Sequence, residues 1–225
     1  LVIILGLVCA SITYCSAGCG CYGRGKRNAP ELGQEDHVGD MILANASADV
    51  FYGKSKFRAI VSNNRLRWPN RKVYWYIPSN WGGNFAKTVS DALADLENKV
   101  DRCVTFHRIT SPRGNYISIW NGGQGICNSM VGYQGGAQKM SLGSNCFSKA
   151  TIQHEFMHAL GLFHEHNRPD RDRYVDILWP QVQSYYCHAY TTCRGCRTVT
   201  AYNVRSLMHY PSHGFGCGGV PVLFP

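Results

Sequence analysis

From Arg67 onward, apolar and polar positions fall into patterns that predict regular elements. Val73, Trp75 and Ile77 alternate with Lys72, Tyr74 and Tyr76, the two-residue period of a half-buried strand, and Pro78 ends it. Phe85, Val89, Leu93, Leu96 and Val100 then recur at helical intervals behind Asn84, a candidate N-cap. Residues 104–109 and 116–120 read as two further strands. The Gly-rich run from Gly122 to Gly136 reads as loops around a short edge strand, and residues 139–142 as another strand. A second helix, capped by Ser148, carries Ile152, Phe156 and Leu160 at four-residue spacing, one apolar stripe that anchors it in a core. Past His164 the periodicity fades into turns and aromatics. Strand, helix, strands and helix predict an α+β arrangement of a sheet with supporting helices.

The face of the second helix away from that stripe carries the chemistry. His154 and His158 lie four residues apart, so both imidazoles project from one side of the helix. Two neutral imidazoles so placed suit a tetrahedral divalent metal, zinc above all. Gly161 can adopt a left-handed backbone, end the helix and let the chain return His164 as a third ligand. Three protein ligands leave a position open for water, the mark of a catalytic rather than a structural zinc. Glu155 stands beside the first ligand without joining the set, placed to take a proton from the attacking water.

Composition limits the setting of this site. The chain has 225 residues, 44% apolar and 16% charged, enough for one catalytic domain with a sizeable core. Its formal net charge is +9, and residues 59–225 hold 17 Lys and Arg against 9 Asp and Glu. No basic run interleaves with aromatics, so nucleic acid is not an expected partner. Eleven cysteines suit an oxidising compartment. Residues 1–17 are apolar and end in Cys15-Ser16-Ala17, a small-x-small cleavage pattern, and read as a secretory signal whose start is missing. Their apolar core is only about ten residues, too short for a comfortable membrane anchor. Residues 18–58 are rich in Gly, Ala, Asn and charge and read as a leader, with basic cleavage sites at Gly25-Lys26-Arg27 and at Lys54 to Arg58. Cys193-Arg194-Gly195-Cys196 reads as a disulfide-stapled loop rather than a redox or second zinc motif.

The run His154 to Glu165, continued by His166-Asn167-Arg168-Pro169-Asp170-Arg171-Asp172-Arg173-Tyr174-Val175, resembles the astacin family of secreted zinc endopeptidases. Ser206-Leu207-Met208-His209-Tyr210 resembles that family's methionine turn. The likeness covers roughly residues 37–215. It implies the zincin-like fold of the metzincins: a twisted, mostly parallel sheet and two long helices above an irregular lower subdomain. It implies that His154, His158 and His164 bind one Zn2+, and that Glu155 is general base and then proton donor. Tyr210 would be a further phenolic ligand that swings away to stabilise the oxyanion, and Met208 the apolar floor below the metal.

The same likeness implies that His37-Val38-Gly39-Asp40 is the inhibitory segment of a leader, with Asp40 occupying the water position on zinc and Gly39 allowing close approach. Cleavage of the Arg58–Ala59 bond by an activating protease would follow, with Glu165 holding the new N-terminus. Cys127 and Cys146 match one family disulfide, and Cys103 one half of another whose partner lies beyond Pro225, so the lower subdomain is expected to be incomplete. The expectation is thus a secreted zymogen: signal 1–17, propeptide 18–58 and catalytic domain 59–225, cleaving internal peptide bonds of protein substrates, which lie extended along a strand at residues 128–134. A zinc-binding but inactive secreted module is the alternative, and an intact Glu155 and Tyr210 speak against it.

Overall fold

The computed structural model describes residues 20–21, 35–53, 66–81 and 83–225. The signal segment 1–17 and the Arg58–Ala59 bond lie outside them. Residues 35–53 supply a hairpin of β1 (Asp36–Val38) and β2 (Met41–Leu43), turned at Gly39-Asp40, and then α1 (Asn45–Phe51). There follow β3 (Lys72–Tyr76), α2 (Gly83–Lys99), β4 (Thr105–Arg108), β5 (Tyr116–Trp120), β6 (Cys127–Met130), β7 (Ala137–Leu142) and α3 (Lys149–Ala159). The seven strands form one sheet in the order β1-β2-β6-β7-β5-β3-β4. Strands β7, β5, β3 and β4 are mutually parallel, and β6 is antiparallel to β7.

The alternation read from the sequence is the physical reason the helices sit where they do. Val73 and Trp75, Ile117 and Ile119, and Met140 and Leu142 occupy one face of the sheet. That face packs against Val89, Leu93 and Leu96 of α2 and against Ile152 and Phe156 of α3. Lys72 and Tyr74, one residue out of phase, are exposed. Gln153 ties the two helices together, its amide donating to the Ala92 carbonyl at 2.9 Å and to Asp95 at 2.7 Å. Ser148 caps α3 as anticipated, accepting the Thr151 N–H at 3.0 Å. Asn84, by contrast, is not a cap: α2 begins at Gly83, and the Asn84 carbonyl already accepts the Thr88 hydroxyl inside the helix.

Two departures from the sequence reading matter for the site. The strand expected at an edge is β6, and it is internal, because β2 pairs with it in parallel, Met41 opposite Ser129 and Ile42 opposite Met130. The hairpin and α1 also share a core with the rest of the chain: Val38, Met41, Leu43, Val50 and Phe51 pack with Val131 and Phe163. The hairpin's strands are three residues each, too short to display a period.

After α3 the chain runs through short 3-10 turns and a two-stranded ribbon of β8 (Asp176–Ile177) and β9 (Leu223–Phe224). Two arginines of the signature hold this irregular part. Arg168 bonds Asp170, Glu165 and the carbonyls of Thr200 and Ala201, and buried Arg171 donates to the carbonyls of His166 and Tyr190. Cys127 and Cys146 are bridged, as the resemblance implies. Cys193 pairs with Cys196, Cys21 pairs with Cys187, and Cys217 is disulfide-bonded as well. Cys103 is exposed with a free thiol. Among the described residues no helix is long and apolar enough to cross a membrane.

Candidate metal centre

Helix α3 presents His154 and His158 from consecutive turns. At its end Ala159 is the last helical residue and Leu160 the C-cap, and Gly161, at φ +103°, makes the left-handed turn that a side chain would strain. His164 then returns to the other two. The three Nε2 atoms lie 3.0, 3.1 and 3.3 Å from one another. Ligand nitrogens at ordinary zinc distances around a tetrahedron would be separated by roughly 3.3 Å.

The tautomers agree with that use. Nδ1 of His154 donates to the Leu207 carbonyl at 2.8 Å and Nδ1 of His158 to the Leu162 carbonyl at 2.7 Å. Nδ1 of His164 meets the Asn167 Oδ1 at 3.2 Å. Carbonyl oxygens only accept, so each ring carries its proton on Nδ1 and turns a bare Nε2 lone pair inward. Burial, with His164 nearby, pushes His158 down to about 4, so that ring is neutral near pH 7. Three converging lone pairs without a donor among them are a cation site, and the donor set fits zinc.

The fourth group is Asp40, at the tip of the β1–β2 hairpin. Its carboxylate oxygens stand 2.8 Å from His164 Nε2, 3.2 Å from His154 Nε2 and 3.8 Å from His158 Nε2. Facing three inward lone pairs, a carboxylate at that place is a further ligand for the same cation rather than a hydrogen-bond partner of the rings. Gly39, at φ +67°, makes the approach possible, since a Cβ there would collide with the Tyr210 hydroxyl.

Glu155 is 1% exposed, and its Oε2 has no hydrogen-bond partner among the described residues. Desolvation, then the nearby negative charge of Asp40, pushes its carboxyl well above the usual range. Tyr210 lies against the site, its ring centroid 4.5 Å from that of His164 and its hydroxyl donating to Asp40 Oδ1 over 3.4 Å. Burial raises the phenol well above its ordinary value, so it stays a donor. Met208 is buried, and its carbonyl accepts the Glu165 N–H at 2.8 Å. Leu207 and Met208 are therefore tied to the ligand set, Leu207 to His154 and Met208 to Glu165, the residue after His164. The Glu165 carboxylate accepts from Arg168 and from the Asn203 N–H.

Asn167 is a functional residue that the sequence reading passed over. It is fully buried, and its amide nitrogen is committed to the carbonyls of Ala189 and Thr191 at 2.9 and 2.7 Å. Its oxygen must therefore face His164, which fixes that ring's tautomer and direction. His166 supports the same region, stacking 4.0 Å from Tyr210 and 5.0 Å from His164. The sequence offered only an amide three residues after a ligand. Asn167→Leu should weaken zinc binding by about 10- to 100-fold in a chelator competition, with Asn167→Asp, which keeps the acceptor, losing less. Equal affinity in all three chains would contradict this role.

An α+β fold whose helix presents H-E-x-x-H, completed by a third histidine beyond a glycine turn, defines a zinc peptidase. The chain belongs to the astacin family: residues 60–223 match the peptidase family described as Astacin. It is 30% identical over 202 residues to Zinc metalloproteinase nas-4 of Caenorhabditis elegans, covering 88% of this chain and 63% of that protein. It is 33% identical to Meprin A subunit beta of Mus musculus, over 76% of this chain and 24% of that one. Its fold is similar to that of High choriolytic enzyme 1, a hatching enzyme zinc-protease from Oryzias latipes, with a TM-score of 0.63, 29% identity and coverage of 71% of this chain and 79% of the other. The chain thus spans less than two thirds of the length of the curated relatives named here.

Proposed function

We propose that this chain is the latent form of a secreted zinc endopeptidase, with residues 1–17 a signal, 18–58 an inhibitory leader and 59–225 the catalytic part. The observation that carries the reading is the Asp40 carboxylate set among three imidazole Nε2 atoms by a hairpin that also occupies the strand position beside β6. The leader takes two things a substrate needs. Asp40 fills the open position of the metal site. Strand β2 uses the Ser129 and Val131 N–H groups, which donate to the carbonyls of Asp40 and Ile42 at 3.0 and 3.2 Å. With the leader gone, those N–H groups become an edge for an extended peptide. Cleavage of the Arg58–Ala59 bond by an activating protease is the step that frees them, and the new N-terminus then finds its acidic partner in Glu165.

Zinc held by His154, His158 and His164 would polarise the scissile carbonyl and acidify a water molecule. Glu155, buried and with one oxygen uncommitted, takes the proton of the attacking water and returns it to the leaving amine. Tyr210, kept neutral by burial, donates a hydrogen bond to the oxyanion that develops on the carbonyl. The substrates are proteins or peptides.

The test is hydrolysis of a mixed quenched-fluorescent peptide set by the intact chain and by the processed chain freed of residues 18–58. Hydrolysis by the processed chain alone, lost on chelation, is the expected result. Equal hydrolysis by the intact chain would overturn the latency.

A further inference from the structure

Cys21 belongs to the leader, and Cys187 to the lower part of the catalytic domain, yet they are joined by a disulfide across 166 residues of sequence. The leader's first described residues are seated there by backbone as well: Gly20 N–H donates to the Val182 carbonyl at 2.9 Å and Cys21 N–H to the Trp179 carbonyl at 3.1 Å. Cys21 packs into the cluster formed by Val175, Val182, Tyr190 and Val222. The 3-10 segment Ser184–Tyr190 that carries Cys187 also supplies the Ala189 carbonyl that holds Asn167, so the bridge is anchored on the support of the metal site.

From this connectivity, and resting on the latency reading above, we propose that one cut between leader and catalytic part does not release the inhibitor. Hydrolysis of the Arg58–Ala59 bond adds one water across one peptide bond and leaves the Cys21–Cys187 bond untouched. The fragment carrying Asp40 stays covalently attached to the domain it blocks. Its dissociation becomes an opening within one molecule, against an effective concentration on the order of millimolar. A leader whose separate affinity is about micromolar would then remain seated in about 99.9% of singly cut molecules. Full activity requires a second peptide-bond hydrolysis, between Cys21 and Asp36. That second cut leaves the Cys21 peptide on the enzyme and frees the Asp40 segment. Activation is a two-cut process with a latent, nicked intermediate.

The test keeps every cysteine. One protease recognition sequence replaces residues 55–58, and a second, for a different protease, is placed between residues 24 and 33. The chain is assayed uncut, cut once at the first site, and cut at both. After the single cut, the leader fragment should co-migrate with the domain in non-reducing electrophoresis and separate from it on reduction. The singly cut chain should show less than about a tenth of the activity of the doubly cut chain, a ratio that follows from the effective concentration of the tethered segment. A fragment lost without reductant, or equal activity of the singly and doubly cut chains while the uncut chain is silent, would overturn the tether and leave the latency reading intact. An uncut chain as active as the doubly cut one would overturn the latency reading itself. Should the inserted sequences perturb folding, a chain with Arg24, Lys26 and Arg27 each changed to Gln and nicked by a basic-site protease gives the same electrophoretic readout for the single cut.

Discussion

Glu155→Gln in the processed chain is expected to slow peptide hydrolysis by about 10²- to 10⁴-fold, the range a positioned acid–base group supplies. Zinc content should not change. The glutamine is nearly isosteric, and Glu155 is not among the groups whose nitrogen or oxygen atoms converge on the metal position. Its carboxyl sits buried beside His154 with one oxygen unpartnered, so the substitution breaks no hydrogen bond at that oxygen while it removes the capacity to carry a proton. Substrate affinity should change little, and the loss should lie in kcat. Unimpaired hydrolysis, or loss of zinc together with activity, would each contradict the assigned role.

Asp40→Ala in the intact chain has the second large effect, and it separates the two parts of the inhibition. The carboxylate stands 2.8 and 3.2 Å from Nε2 of His164 and His154, on the position their lone pairs share, so with zinc there it would be a fourth, anionic ligand; a net contact of about 3 kcal/mol would shift the equilibrium between closed and open metal site by about 10²-fold. Strand β2 would remain on β6, since its backbone pairing and the burial of Met41 and Leu43 do not involve the Asp40 side chain. A small zinc-binding probe such as acetohydroxamate should therefore bind intact Asp40→Ala about 10²-fold more tightly than the intact parent. Peptide hydrolysis should recover far less, because the cleft edge is still occupied. Unchanged probe binding would remove Asp40 from the switch.

How much of this was legible in the sequence follows from the range of each interaction. His154, His158, Gly161 and His164 lie within eleven residues and are tied by helix geometry, so their spacing alone places three imidazoles together. The sheet face and the stripe of Ile152 and Phe156 were legible for the same reason, since periods of two and about four residues are local. Asp40 reaches the site across more than a hundred residues, and only a likeness to a known leader motif pointed to it. The parallel pairing of β2 with β6 left no sign, because three consecutive apolar residues fit a strand, a helix or a loop equally well. Cysteine count announced disulfides but not partners, so the link of Cys21 to Cys187 came only with the three-dimensional structure. Asn167 was hidden by its own signature, where it stood as one polar residue among many. Its function depends on the carbonyls of Ala189 and Thr191, which arrive from more than twenty residues away.

The central claim is that three histidines hold one catalytic zinc whose use depends on Glu155. It is tested most directly by stripping the processed chain with a chelator and returning zinc in measured steps while following peptide hydrolysis. Hydrolysis should be absent from the stripped chain, rise linearly and level off at about one zinc per chain, the stoichiometry of a single tetrahedral site. Hydrolysis that persists without metal, or a chain that takes up one zinc and cleaves nothing, would contradict the account.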